Sequence, residues 1–174
     1  MVYFPELNPI TFSPSPLTLL LIQLATMGGL QTLDEGPEHG LALTSEYRTA
    51  VWMGPAQYFD SRCMTLSSTY KVSAKVKLIH KDTGAYMSCV PGSNTSCPKL
   101  TMKYESGAWQ DIHEGWLPLG QPATWDASGA WNTIEYQFTV SQEVADAGSV
   151  LMYSSCTDLN ALIVLDDVSV QKIP

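Results

Sequence analysis

The chain is patterned for extended structure. In residues 70–79, Tyr70, Val72, Ala74, Val76 and Leu78 fall on one side of an extended backbone and Lys71, Ser73, Lys75 and Lys77 on the other. A strict period of two is the mark of a strand with one buried face. Residues 131–140 repeat it, with Ile134, Tyr136, Phe138 and Val140 opposed to Glu135 and Gln137. Trp131 opens that strand and is assigned to the core. Shorter strands are expected at 40–44, from Pro55 onward, at 100–104, at 149–153 and at 161–170. Only 141–147 reads as helix, and 109–129, with Gly115, Pro118, Gly120, Pro122 and Gly129, reads as a long loop-rich stretch. Many short strands separated by turn residues predict an all-β, antiparallel β-sandwich.

The first thirty residues stand apart. Residues 17–25 form an apolar run too short to span a bilayer. Pro5, Pro9, Pro14 and Pro16 precede it and oppose a helix there. A secretory leader begins with basic residues, and the first one here is Arg48. The run is read as a buried strand; a degenerate signal segment or a piece of a longer protein are the alternatives. The expected division is an N-terminal extension over 1–30 and a sandwich over 31–174.

Charge narrows the partners. Nine basic and seventeen acidic residues give a net charge of −8. Such a surface repels a phosphate backbone and an anionic bilayer, so neither nucleic acid nor membrane is expected. Neutral polysaccharide and calcium are both compatible with it.

Cys63, Cys89, Cys97 and Cys156 have no C-x₂-C spacing, and His39, His80 and His113 are far apart, which argues against a zinc–thiolate site. An even cysteine count in a β-rich chain favours disulfides and a secreted protein. Of three connectivities, Cys89–Cys97 with Cys63–Cys156 is favoured; four reduced thiols in a cytosolic protein are the alternative. Asn94-Thr95-Ser96 is a glycosylation sequon between the first pair.

The chain lacks the nucleophile-elbow, phosphate-loop, dinucleotide and zinc-protease motifs. Asp111 and Glu114 are the only carboxylates considered for glycoside chemistry, and nothing in their spacing fixes them across a bond. Trp52, Trp109, Trp116 and Trp125 all lie near glycine or proline. Exposed, such rings stack on sugars; buried, they cap the core. In Leu165-Asp166-Asp167-Val168, alternation turns Asp166 toward the core, where a carboxylate needs a hydrogen-bond partner or a cation such as calcium.

Three stretches, residues 40–48, 52–57 and 70–77, together with Trp131, residues 138–140 and 165–170, resemble carbohydrate-binding modules of the family 4, 9 and 22 type. The resemblance covers residues 40–172. It implies a galactose-binding-like jelly roll that binds β-glucan, xylan or a related chain, often as an accessory to the catalytic domains of a larger secreted protein. It also implies a structural calcium, with Asp166 as the matching ligand, although Tyr3-Phe4-Pro5-Glu6 only faintly echoes the word that supplies the rest. Trp52 matches the cleft tryptophan, with Arg48 and Gln57 in the surrounding motif; Tyr86, Trp109 and Trp116 are added as candidate cleft aromatics. The expected function is non-catalytic polysaccharide binding. An extracellular adhesion or cell-wall module that binds protein, and a small jelly-roll lyase or hydrolase, are the alternatives.

Overall fold

The computed structural model describes residues 10–11, 30–34, 41–45, 48–90, 97–115, 125–156 and 158–174. The strands are β1 (Ile10–Thr11), β2 (Leu30–Asp34), β3 (Leu41–Ser45), β4 (Ala56–Asp60), β5 (Thr69–His80), β6 (Lys99–Ser106), β7 (Ala108–Gly115), β8 (Asn132–Thr139), β9 (Ser149–Ser155) and β10 (Ala161–Lys172). One short helix, α1 (Gln142–Asp146), is capped by the Ser141 hydroxyl, which accepts from the Val144 N–H. All strand pairs are antiparallel. The first sheet runs β2-β3-β10-β5-β8, with β1 also paired to β10; the second runs β4-β9-β6-β7.

The two sheets pack face to face. Val72, Ala74, Val76 and Leu78 of β5, Ile134, Tyr136 and Phe138 of β8, and Ile163, Leu165, Val168 and Val170 of β10 meet Leu100 and Met102 of β6 and Val150 and Met152 of β9. The alternation that predicted β5 and β8 therefore sorts their side chains as expected, and the sandwich is the observed fold. The apolar run at 17–25 lies outside the described residues. Ile10–Thr11, inside the expected extension, joins the first sheet opposite Val170 and Ser169.

Four expectations are corrected. The stretch after Trp109 is not loop throughout, because Ala108–Gly115 forms the edge strand β7. An irregularity at Ile112 breaks its alternation: Met102 pairs with His113, but Lys103 pairs with Asp111. Trp131 is not core. It sits half-buried on the outer face of the first sheet, with the Lys77 ammonium 4.2 Å from its ring centre.

Asp166 does not point inward. The β10 ladder shifts register between Asp166 and Ser169, and Asp167 adopts a positive φ of 47°. Leu165 and Val168 consequently both reach the core. Asp166 is left on the other side, where its Oδ1 accepts the Asp167 N–H at 2.8 Å.

Cys89 and Cys97 form a disulfide. It ties the segment after β5 to the start of β6, and so one sheet to the other. Cys63 and Cys156 are not joined to each other and keep their thiols, the first exposed and the second buried. They flank opposite ends of one ladder: Cys63 follows the Asp60–Ser149 pair and Cys156 lies beyond the Ala56–Tyr153 pair. Seven residues of strand separate Ser149 from Cys156, about 23 Å at ~3.3 Å per residue. A disulfide needs Cα atoms within roughly 7 Å.

Candidate functional site

The outer face of the second sheet gathers a set of aromatic and charged side chains. Phe59 packs against the core and pairs with Val150, so Ala56, Tyr58 and Asp60 of β4 face outward. Val150 and Met152 of β9 are core residues, which places Leu151 and Tyr153 on the outer face. By the same rule Thr101 and Lys103 of β6 face outward, since Leu100 and Met102 are buried inside.

Pairing arranges these residues in cross-strand rows. Tyr58 lies opposite Leu151, Leu151 opposite Lys103, and Lys103 opposite Asp111. Ala56, Tyr153, Thr101 and the backbone of Glu114 make the next row. At the β6–β7 hairpin Glu105 pairs with Trp109.

The rings and charges on this face contact one another. Tyr58 and Trp109 have ring centres 6.1 Å apart, tilted by 48°. Lys103 Nζ lies 3.0 Å from an Asp111 carboxylate oxygen and 5.8 Å from the centre of the Tyr153 ring. The hydrogen bond to Asp111 holds the Lys103 ammonium above the usual lysine range. At the rim Arg62 pairs with Asp60 and holds that carboxyl at about 2. Flat apolar walls with a few placed donors and acceptors are what a sugar site requires.

The expected site residues are not all brought together. Trp109 is on this face. Trp52 is 53% exposed in the loop that leads into β4. Arg48 is only 7% exposed. Its guanidinium donates to five backbone carbonyls, those of Met53, Cys156, Asp158 (3.0 Å), Ala161 (2.9 Å) and Val51 (3.1 Å). Burial lowers its pKa. Arg48 therefore fixes the Trp52 loop to the turn before β10 and does not present its charge to a ligand.

Gln57 pairs with core residue Met152, which puts it on the other side of β4 from Tyr58; its Nε2 donates to the Tyr58 carbonyl at 2.7 Å. Tyr86 bridges Ile79 and borders Lys77 at 5.7 Å, on the outer face of the first sheet. Its ring lies against Gly129, where an added Cβ would come within 2.6 Å of it. Trp125 packs against the core and donates its indole N–H to the Met87 carbonyl at 2.9 Å. Trp116, and the side chain of Glu114, lie outside what the structure describes.

Tyr58, Tyr153 and Lys103 were not singled out by sequence reasoning. The signal was present for Tyr153, because alternation with Val150 and Met152 turns it outward. Tyr58 was harder, since Gln57 and Phe59 give no clear inner phase.

Asp166 offers oxygen chemistry suited to calcium. Among the described residues, however, no three His, Cys, Asp or Glu side chains converge to hold a metal.

No protein-family model matches the chain, and no curated protein matches it. Solved structures do resemble it. The CBM22-1 xylan-binding domain from Paenibacillus barcinonensis Xyn10C is 19% identical, with a TM-score of 0.58 over 84% of this chain and 82% of that one. The tandem CBM22-1-CBM22-2 domain of the same protein is 20% identical, with a TM-score of 0.60 over 84% of this chain and 40% of that one. A C-terminal family 22 carbohydrate-binding module of Clostridium thermocellum Xyn10B is 16% identical, with a TM-score of 0.57 over 85% and 82%. The chain thus has the β-sandwich fold of these modules.

Proposed function

We propose that the protein is a non-catalytic module that binds a neutral polysaccharide, β-glucan or xylan, on the outer face of β4-β9-β6-β7. The observation that carries this reading is the gathering of Tyr58, Trp109 and Tyr153 around the Lys103–Asp111 pair on one face. The fold it shares with xylan-binding modules supports it. So does the charge on the face, where both Asp60 and Asp111 are already paired with cations and leave hydroxyl-rich ligands as the better match. Asp111, the one described carboxylate considered for catalysis, is held by a lysine, an arrangement suited to binding and not to proton transfer.

Attachment to catalytic domains of a larger parent would raise a weak single-site affinity through effective concentration. The Cys89–Cys97 disulfide supports a secreted location. A calcium held in part by Asp166 is tested by a rise in melting temperature with calcium, reversed by a chelator.

Affinity electrophoresis in gels containing glucan or xylan tests the function. Retardation is expected, and it should weaken at least tenfold in Trp109→Ala and in Trp52→Ala. Unaltered mobility across a broad panel of neutral polysaccharides rejects the reading.

A further inference from the structure

The outer face of the first sheet is buried as deeply as a core. Ile163 and Leu165 of β10 enter the sandwich, so Val164 between them faces outward. Its ladder partners, Thr44 of β3 and Lys77 of β5, face outward with it, and Ala42 shares the side of Thr44. Yet Val164 and Ala42 are 0% exposed, Thr44 2% and Lys77 6%. Leu43, turned inward opposite Leu165, is only half-buried, so β3 is more deeply covered outside than inside. The Trp131 and Tyr86 rings lie over Lys77 and account for its burial. Thr44 is two strand spacings away from Lys77, about 10 Å, and the described strands beside β3 and β10 belong to their own sheet.

We infer that the apolar run at residues 17–25 packs on this face as a third layer, over β3 and β10. The path of the chain brings it there. β1 ends at Thr11 beside Ser169 of β10, and β2 begins at Leu30 opposite Ser45. β1 and β3 both run antiparallel to β10 along the same edge, since β5 holds the other. The connection over residues 12–29 therefore travels the length of β3 to reach Leu30. That distance is about 20 Å at ~3.3 Å per residue. A chain of this length reaches about 60 Å when extended, so there is ample chain to cross the face on the way.

The chemistry of the buried strip selects the same segment. Among the described residues the Thr44 hydroxyl has no hydrogen-bond partner. A hydroxyl sealed by water or by polar chain finds one, so what lies against it is apolar. Seven of the nine residues in 17–25 are apolar, whereas the other connection at β3, residues 35–40, holds Glu35, Pro37, Glu38 and His39. The run in turn needs a place to bury its side chains, and Ala42 and Val164 supply an apolar floor. The folded module then extends across the expected boundary at residue 30, on the side opposite the candidate glycan face and independently of what that face binds.

Photo-crosslinking of the full chain tests the inference. Benzoylphenylalanine is placed singly at Leu19, Leu20, Leu21 and Ile22, so that successive positions sample every side of the run, and the linked peptides are mapped by mass spectrometry. At least one position should link, within a single chain, to residues 41–45 or 161–166. Links to the second sheet alone, or no link from any of the four positions, overturn the inference. Links between two chains overturn it as well and assign the face to a second copy. Thr44→Val gives an independent reading. Under an apolar layer, losing an unpartnered hydroxyl should leave the melting temperature unchanged or raise it; a fall of more than about 4 °C would show that water or polar chain serves the hydroxyl, and would overturn the apolar layer. Leu20→Asp/Leu21→Asp places a carboxylate in the layer whichever of the two side chains points inward, and should lower the melting temperature by at least about 4 °C. Unchanged melting in that variant returns the run to solvent and overturns the inference.

Discussion

Removing the Arg48 guanidinium tests whether the Trp52 loop is held from below. In Arg48→Ala five backbone carbonyls lose a charged donor. Their losses are unequal. The Val51 carbonyl also accepts the Cys156 N–H, and the Asp158 carbonyl also accepts the Ala161 N–H. The Met53 carbonyl accepts from the arginine and from no other donor among these contacts. An unsatisfied buried carbonyl costs about 1–3 kcal/mol, so a loss in that range is expected, with the weakened charged contacts of the other carbonyls adding to it. That is a sizeable share of the ~5–15 kcal/mol by which domains of this size are stable. Guanidinium unfolding followed by tryptophan fluorescence should show the midpoint falling at nearly constant slope. Arg48→Lys, with three donors on one nitrogen in place of a planar fork, should fall between the two. A loss below about 1 kcal/mol in Arg48→Ala would refute the account and return Arg48 to the candidate ligand contacts.

Other outcomes follow from single contacts. Gly54→Ala should destabilise the protein and weaken glycan binding together, since the new Cβ would collide with the Ser154 carbonyl and hydroxyl oxygens beside the Trp52 loop; unchanged thermal unfolding would contradict this. Replacing Cys89 and Cys97 by serine opens a loop closed over a sequence separation of 8, which chain entropy values at about 2.5 kcal/mol, measurable by urea unfolding. The Asp60 carboxyl, held at about 2 by Arg62, has a depressed folded pKa. Its pairing contribution is present above the ordinary aspartate value and is lost as pH falls through about 2; the Asp60 carboxyl carbon signal should titrate there, and a midpoint near 4 would show the pair to be broken in solution. Gln57→Ala should leave glycan affinity within about twofold, while Tyr58→Ala lowers it at least fivefold; equal effects would contradict the facing of β4.

The fold was legible where one face of a strand is buried and the other wet. In β5 and β8 every second residue enters the core, so composition alone reveals the period. β7 escaped because it is an edge strand whose outer face carries Trp109 and Asp111 and whose rhythm is broken at Ile112. Asp166 was misplaced for the same reason. Alternation counts residues, and the positive φ at Asp167 inserts a step that no hydrophobic pattern announces. The unmade Cys63–Cys156 bond reflects a third limit: cysteine parity carries no distance, and a single ladder holds these two at opposite ends.

The candidate site was half legible, and the dividing line is physical. Word matches along the chain select residues that travel together in sequence, such as Arg48, Trp52 and Gln57. The sandwich sends those three to a buried cage, an exposed loop and the inner side of a strand. The residues that do share a surface, Tyr58, Lys103, Trp109, Asp111 and Tyr153, come from four strands with up to 95 positions between them. Only strand order and register bring them together. What the sequence does carry is the phase of each strand. Once β4-β9-β6-β7 is known, the outward phase of β9 gives Tyr153, that of β6 gives Lys103, and those of β4 and β7 give Tyr58 and Trp109. The contact between the Tyr58 and Trp109 rings is hidden from the sequence for the same reason: it joins residues of β4 and β7, which only the strand order and register bring onto one face.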